Sequence, residues 1–479
     1  MHTPILGQAY VARSVNAADN RMVNLFPEAT PGDAKEAGFL NRAPGLRLLA
    51  TIGTGPIRGM WAHNTSGQDA YVASGSEFYK IYPDFTYVKL GDITGTGPVS
   101  IADSGTQIAI ACNPEMFIYT ESTNTFVQVT DPDFAGAVTV SYIDGYFLFN
   151  QPDSQILWVT GILDGTQINP LAFAAAESSP DNVVANVVNN REAWIFGENT
   201  IEIWYDAGAT PFPLAPIQGA YNEIGCISPF SIAKLDNSLF WLGTDSRGFG
   251  IVYRNQGYTG IRVSTHAVEY AIQNYGDITN AIAFTYQQEG HAFYVLNFPT
   301  VGKTWVYDVA TKAWHERAGF KDGEFTRYRP QCQMNFDSQP IVGDYENGNI
   351  YALDLDVYSD NGEIQRWVRS WRPIPSGQNN LRRTSQHTLQ LDCESGVGLN
   401  DGQGQDSQVM LRWSDDGGHT WSNEYWASMG RIGQYGKRVF WRRLGMTLKL
   451  RDRVYEVSGT DPNKVVIIGA EILISPTNA

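Results

Sequence analysis

Cysteine is scarce: the chain has four in 479 residues, Cys112, Cys226, Cys332 and Cys393, all far apart. That spacing gives no CxxC pair for redox or zinc chemistry, and the four read as reduced, buried thiols acting as small hydrophobes. No run of about 18 apolar residues occurs, so no membrane-spanning helix is expected. The opening Met1-His2-Thr3-Pro4-Ile5-Leu6-Gly7-Gln8 lacks a basic segment followed by an apolar one, so no secretory signal is read there. Synthesis in a bacterial cytoplasm is compatible with this. The seven histidines never take HExxH or comparable ligand spacing, and no G-x-S-x-G elbow is present. Gly302-Lys303-Thr304 lacks the leading glycine of a phosphate loop, because position 297 is Asn297. No metal, no cofactor and no catalytic residue are expected.

What is abundant points to strands. With 43% hydrophobic residues, 47 Gly, 24 Tyr, 22 Phe and 13 Trp, the composition suits half-buried pleated surfaces joined by tight turns. Long charged helical stretches are absent, and the chain reads as all-β. The formal net charge of -16 is unevenly spread. Residues 364–479 hold 15 Lys and Arg against 11 Asp and Glu, whereas residues 1–363 hold 19 against 39. So acidic a body disfavours tight wrapping of nucleic acid, which relies on cations displacing phosphate counterions. It is compatible with a passage along which DNA slides without sticking.

An aromatic hairpin recurs seven times. The copies are Ala70–Ala73 with Phe78–Tyr82, Ile108–Ala111 with Met116–Tyr119, Gly145–Phe149 with Ile156–Val159, and Ala193–Phe196 with Ile201–Tyr205. Then come Ser238–Trp241 with Gly250–Tyr253, His291–Val295 with Lys303–Tyr307, and Gln339–Val342 with Asn349–Leu353. Starts 37 to 53 residues apart match the repeat of a four-stranded propeller blade. One hairpin cannot cover both its faces, whereas radially stacked blades share a core. A β-propeller of six or seven blades is predicted over residues 56–370, because one hairpin can belong to a shared, closing blade. Residues 1–55 read as an N-terminal arm or closing strand. Residues 371–479 read as a C-terminal β-sandwich. There Leu444, Met446, Leu448 and Leu450 alternate with polar or small residues, as in a half-buried antiparallel strand, and Val465-Val466-Ile467-Ile468 supplies another.

Three motifs invite chemical readings. Ser414-Asp415-Asp416-Gly417-Gly418-His419-Thr420-Trp421 matches the Asp-box of sialidase-type propellers. Physically it is a turn in which Asp416 accepts backbone N–H groups, Gly418 takes an unusual φ and Trp421 packs beneath. It occurs once and outside the propeller, so it marks a turn rather than glycosidase chemistry. The acidic run Asp354, Asp356, Asp360, Asn361 and Glu363 fails as a calcium loop because the fifth position is Tyr358, and a solvated Asn361-Gly362 turn is favoured. The third is a pair of basic, aromatic stretches. Residues 364–383 carry Arg366, Arg369, Arg372, Arg382 and Arg383 with Trp367 and Trp371 and no acid. Residues 431–453 carry eight cations and one Asp, with Tyr435, Phe440 and Trp441. Three readings stay open: stacking on nucleic acid, a protein interface rich in Arg, Trp and Tyr anchors, or a solvated sandwich face. The interface is favoured, with Arg366, Arg369, Arg372, Lys437, Arg438, Trp441, Arg442 and Arg443 as its candidate residues.

The order of short motifs resembles the tail hub or nozzle family of short-tailed bacteriophages, also described as tail accessory or packaged-DNA stabilisation proteins. The motifs are Val23-Asn24-Leu25, Ala43-Pro44-Gly45-Leu46, Ile57-Arg58-Gly59, Gly343-Asp344-Tyr345-Glu346-Asn347-Gly348-Asn349-Ile350-Tyr351, Leu391–Gly398, Ser414–Gly418 and Tyr435–Gly445. Each is common alone; their shared order, collinear over nearly the whole chain, carries the specificity. The resemblance implies a structural virion protein: a homo-hexameric ring below the portal and adaptor that retains packaged DNA and passes it during ejection. Tail fibres or spikes and a terminal plug or needle would be neighbours, and DNA would pass without sequence-specific binding. Acidic propellers would repel the DNA backbone wherever their charges face the lumen. The rival readings are a carbohydrate-binding or glycoside-hydrolysing propeller and a bacterial scaffold unconnected with virions.

Overall fold

Seven four-stranded antiparallel sheets follow one another along the chain, each packed on the next until the seventh meets the first. The computed structural model describes residues 1–15, 18–30, 32, 36–63, 67–176, 179–373, 383–447 and 453–477. Blade 1 runs from Ile57–Ala62 to Tyr87–Asp92, blade 2 from Ser100–Asp103 to Thr125–Gln128, and blade 3 from Val140–Ile143 to Asp164–Ala175. Blade 4 runs from Val183–Asn189 to Leu214–Asn222. Blade 5 has its inner edge split between Gly225–Cys226 and Ala233–Leu235 and ends at Thr259–Arg262. Blade 6 runs from Ile282–Gln288 to Ala313–Arg317. Blade 7 has Pro330–Phe336, Gln339–Asp344 and Asn349–Asp354, and takes its outer strand, Gly45–Thr51, from near the start of the chain. The blade number is seven.

The seven recurrent hairpins are the two middle strands of the seven blades. In blades 3 to 7 the turn into the hairpin is a two-residue link with both φ positive: Asp144-Gly145, Asn190-Arg191, Asp236-Asn237, Glu289-Gly290 and Asp337-Ser338. This geometry matches the twist of the strands it joins and fixes their register. The second strand of a blade is buried on both faces, as in Ala70–Ser74 and Gln107–Ala111, because a neighbouring blade covers each side. Hence these strands are continuous apolar runs rather than alternating ones. Each junction between blades is an apolar cluster, for example Tyr71, Phe78, Ile108, Ile110 and Phe117 between blades 1 and 2. Where blade 7 meets blade 1 the approach is close. A Cβ on Gly343 would stand 2.4 Å from the Ile57 side chain, so only glycine closes the ring there.

The junction of blades 6 and 7 contains a histidine with unusual surroundings. His315 is wholly buried between Phe26 and Phe293, and neither ring nitrogen has a hydrogen-bond partner. Burial, with Arg317 and His291 nearby, holds its pKa well below the ordinary value. The folded chain therefore keeps the neutral ring, while the unfolded chain takes up a proton at about 6.5. Stability linked to His315 is complete above pH 6.5 and is lost as pH falls below it, at up to about 1.4 kcal/mol per pH unit. His315→Phe is expected to leave stability at pH 7.5 nearly unchanged and to flatten the loss between pH 6.5 and 5, as read from urea midpoints across pH.

The sandwich is not a separate bead. One sheet orders Val439–Arg442, Thr384–Cys393, Val466–Pro476, Gly38–Arg42 and Leu25–Ala29, with His2–Thr3 also on Val466–Pro476. The other holds Trp367–Trp371, Val454–Gly459, Asp406–Ser414 and Tyr425–Arg431. Through Met22–Val23 this second sheet continues into the outer strand of blade 6, giving nine strands in one sheet. A single apolar core accordingly runs from Phe240 and Trp314 of the propeller through Met22 and Leu25 to Trp371, Leu389 and Tyr455 of the sandwich. The alternating strand expected at Leu444–Leu450 is corrected. Leu444 is buried, but Met446 is exposed and makes an isolated bridge to Ser385, while Leu448 and Leu450 lie outside the described residues. Arg443, at φ 61°, bends the backbone just before that point and ends the pleat.

Candidate interaction surfaces

The innermost strands of all seven blades enclose a tunnel of about 510 Å³. Its charged lining residues are Arg58, Asp103 and Lys234, so the acidic charge of residues 1–363 lies elsewhere. A duplex whose major groove alone is about 12 Å wide cannot thread such a space. A second cavity, of about 960 Å³, opens between blades 4, 5 and 6 and is lined by Trp194, Tyr258, Tyr307 and Arg254 among others. Among the described residues Glu192 is its one carboxylate, and it accepts a hydrogen bond from the Tyr258 hydroxyl at 2.5 Å. Hydrolysis of a glycosidic bond ordinarily uses two carboxyl groups flanking it. That pair is missing from this cavity.

The Asp-box is a self-contained turn. Asp416 Oδ1 accepts from the backbone N–H groups of His419 and Thr420 at 3.0 and 2.9 Å, and from Ser414 Oγ at 2.6 Å. These bonds hold its carboxyl far below the usual carboxylate range. Gly418 sits at φ 107°, and a Cβ there would stand 2.5 Å from Asp19 Oδ2 on the arm. Trp421 Nε1 donates to the Gly418 carbonyl, with the Arg412 guanidinium 4.6 Å from its ring. Asp415 takes both forks of Arg453 at 2.7 Å. The side chains of Ser414, Asp415, Asp416, Thr420 and Trp421 are all committed to the fold.

The acidic run at 354–363 is likewise absorbed. Asp354 accepts from Arg47 Nε at 2.8 Å, and Glu363 from Arg329 at 2.9 Å. Asn361 and Gly362, both at positive φ, form the turn of a small hairpin. Asp360, expected on a solvated turn, is instead buried, and burial pushes its carboxyl up to about 7. The strand it occupies lies against Gly45–Thr51, which excludes water. Among the described residues no group of His, Cys, Asp and Glu is placed to hold a metal ion.

The eight candidate interface residues separate into two groups. Trp367, Arg369 and Trp371 share one face of their strand, and arm residues around Thr3–Ala9 roof that face. Arg369 is 1% exposed and donates from Nε to the Ile5 carbonyl at 2.7 Å. Burial lowers its pKa to about 10. Arg366 reaches Glu424 and Ser458 Oγ at 3.3 and 3.2 Å, and Arg372 donates to the Val15 carbonyl. Trp441 is buried opposite Leu389, with Nε1 donating to the Tyr425 carbonyl at 2.8 Å. In this chain these four residues join its own parts. Arg382 lies outside the described residues, and Arg383 Nε donates to the Thr447 carbonyl.

Lys437, Arg438, Arg442 and Arg443, by contrast, are exposed. The period of two explains the division within one strand: Val439 and Trp441 turn inward, Phe440 and Arg442 outward. Arg438 donates to Gln390 Oε1 at 2.5 Å, and the Arg442 guanidinium lies 4.6 Å from the Phe440 ring. The structure adds Arg431, Ile432 and Tyr435, the last 75% exposed, on a loop tied by backbone bonds from Gln434 to Arg431 and from Lys437 to Gln434. Closely spaced Gly430, Gly433 and Gly436 were the sequence signal for that projecting loop. Trp441→Ala is expected to cost about 3–5 kcal/mol of stability, as for other buried aromatic truncations, which thermal or urea unfolding would read directly.

With this geometry in view, comparison with known proteins is unambiguous. Residues 1–358 match the sequence model described as bacteriophage P22 Gp10, beta-propeller, and residues 372–475 match that described as bacteriophage P22 Gp10, beta-sandwich. The tail hub protein gp10 of Salmonella phage P22 is 22% identical over 462 residues, covering 91% of this chain and 92% of that one. Among solved structures, a streptogramin B lyase is 10% identical with a TM-score of 0.43, covering 64% of this chain and 97% of its own. A chain of a mitotic checkpoint complex is 13% identical with a TM-score of 0.43, covering 69% and 96%. Neither of these likenesses bears on function. Matched in both of its parts and in their order, the chain belongs to the bacteriophage P22 Gp10 family of tail hub proteins.

Proposed function

We propose that this structural tail protein acts as a non-enzymatic ring component that extends the DNA-exit channel, retains packaged DNA and lets it pass on ejection. The observation that carries this reading is the match of both domains, in order, to a tail hub family. Physical features support it. The propeller tunnel is too narrow for a duplex, so a DNA conduit would lie between chains. The continuous nine-stranded sheet makes propeller and sandwich one stiff body, as a load-bearing strut in a pressurised tail requires. An acidic surface facing the lumen would repel DNA rather than hold it. A homo-hexamer, with the adaptor and portal side above it, fibres or spikes around it and a plug or needle below, completes the reading. The eight basic and aromatic residues divide within it: Arg366, Arg369, Arg372 and Trp441 would stiffen the subunit, while Lys437, Arg438, Arg442 and Arg443 would meet partners.

Cryo-electron microscopy of the intact particle tests this reading. Six copies around the axis below the adaptor are expected; absence of the chain from the tail would overturn it. Against a sugar-binding or sugar-cleaving propeller, a glycan array and a hydrolysis assay are expected to give no signal.

A further inference from the structure

Among the described residues, the cations of the exposed sandwich face form no ion pair within their own chain. Arg431, Lys437, Arg438, Arg442 and Arg443 are all at the surface, and among the described residues none has a carboxylate within 4 Å. Elsewhere the surface arginines are commonly matched: Arg47 with Asp354, Arg191 with Asp144, Arg254 with Asp236, Arg329 with Glu346 and Glu363. Between these cations stand Ile432, Tyr435 and Phe440, so the face combines charge with apolar and aromatic anchors. Such a combination marks a protein-binding surface rather than a solvated one.

The complementary surface is on the propeller. No Lys, Arg or His occurs from residue 90 to residue 190, while 11 Asp and Glu do. Blades 2 and 3 therefore carry no cation at all, and blade 4 carries only Arg191, which is paired with Asp144. Within this sector Glu115, Asp131, Asp133, Asp153, Glu198 and Glu223 all lie in turns or links at one end of the blades, the end where second strands lead to third and fourth strands to the next blade. None of the six takes part in an ion pair among the described residues. Tyr221, 41% exposed beside Glu223, adds an apolar element. In a ring of seven, blades 2 and 3 stand across from blade 6, whose outer strand joins the sandwich through Met22–Val23, and blade 4 follows them. The two surfaces thus belong to different parts of the fold, one on the sandwich and one on blades 2 to 4, and no strand contact joins them among the described residues.

We infer that the exposed sandwich face, centred on Tyr435, Arg438 and Arg442, docks on the acid-rich end of blades 2 to 4 of a second copy, head to tail. This contact rests on the ring reading and gives the ring its polarity. A heterologous contact uses two different patches, so each copy offers one free pole to the next until the ring closes. Opposite charge on the two patches sets register and speeds encounter, and like-charged arrangements, sandwich to sandwich or blade to blade, are rejected.

The test exploits the net charge of -16. A uniformly acidic protein repels itself more strongly as salt is removed, whereas opposed poles attract more strongly. Sedimentation velocity of the full chain at 20 and 300 mM NaCl is expected to show association that rises with concentration and is at least tenfold tighter at low salt. Arg438→Glu with Arg442→Glu should abolish it, as should Asp131→Lys with Asp133→Lys, and mixing the two reversed chains should restore it. Carbodiimide coupling of a mixture of heavy- and light-isotope chains should join Lys437 of one copy to carboxylates of blades 2 to 4 of another. Repulsion at low salt, failure of the mixed reversal, or capture of DNA or anionic vesicles by this face with no attraction between chains would each overturn the contact. Six copies in the particle touching through other surfaces would overturn it while leaving the hub reading intact; no copies in the tail would remove the reading itself.

Discussion

Deletion of residues 2–44, keeping the closing strand Gly45–Thr51, is expected to leave a chain that no longer holds its propeller and sandwich together. The deleted arm contributes Met22–Val23, the strand that makes one sheet of blade 6 and the sandwich, and the hairpin of Leu25–Ala29 with Gly38–Arg42, which completes the other sandwich sheet. Ile5, Met22, Val23, Leu25, Phe26 and Leu40 are almost fully buried. At about 1.5–3 kcal/mol for each large apolar side chain, their loss is on the order of 10 kcal/mol, comparable with the whole stability of a domain. Asn24 goes with them; its Nδ2 donates to the carbonyls of Ala318 and Arg366 at 2.8 and 2.7 Å, one on each side of the junction. The shortened chain should be cut by a protease between residues 358 and 372 where the full chain resists, and the proteolysis pattern on a gel measures this. Resistance equal to the full chain would show that the arm is a passenger.

Arg42→Met should be the most damaging single substitution at that junction, by about 3 kcal/mol or more. The buried guanidinium donates to the carbonyls of Asp461 and Asn463 at 2.6 and 2.8 Å, to those of Tyr358 and Gln365 at 3.1 and 2.5 Å, and to Gln365 Oε1 at 3.1 Å. It therefore pins the sandwich loop, the segment after blade 7 and the arm strand at one point. Methionine fills much of the volume but donates nothing, leaving buried carbonyl oxygens unpaired at about 1–3 kcal/mol each. Burial brings the Arg42 pKa down to about 10, against the opposing pull of Asp360 and Asp461, so it is still charged at neutral pH. Arg42→Lys should recover only part of the loss, since one ammonium cannot span four carbonyls from a single fork. Urea midpoints of the three proteins decide it; equal midpoints for wild type and Arg42→Met would refute the clamp.

The hairpins were legible because their causes are local. Two-residue turns such as Asp236-Asn237 and Glu289-Gly290 and the apolar runs beside them act over a dozen residues, so all seven could be read off in order. The Asp-box behaved as its spacing required for the same reason: Ser414, Asp416 and Trp421 bond within eight residues. Composition also showed the acidic body and the basic end, although the cation-free stretch from 90 to 190 is sharper than that contrast.

Burial was not legible for the basic residues, because it depends on what is folded over a strand from elsewhere. Arg369 and Arg442 stand in similar Trp- and Arg-rich stretches, yet the arm roofs the first while the second is exposed. Asp360 gives no local hint of being buried; the strand Gly45–Thr51, more than 300 residues earlier, shuts it in. The sequence by itself determined an all-β chain of seven repeated hairpins with charge divided along its length, since turn chemistry and apolar runs act between near neighbours. Only the tertiary structure decided that seven blades close on an N-terminal strand, that propeller and sandwich share one sheet, and which arginines face outward, because pairing between distant segments follows from shape and burial that no short stretch encodes.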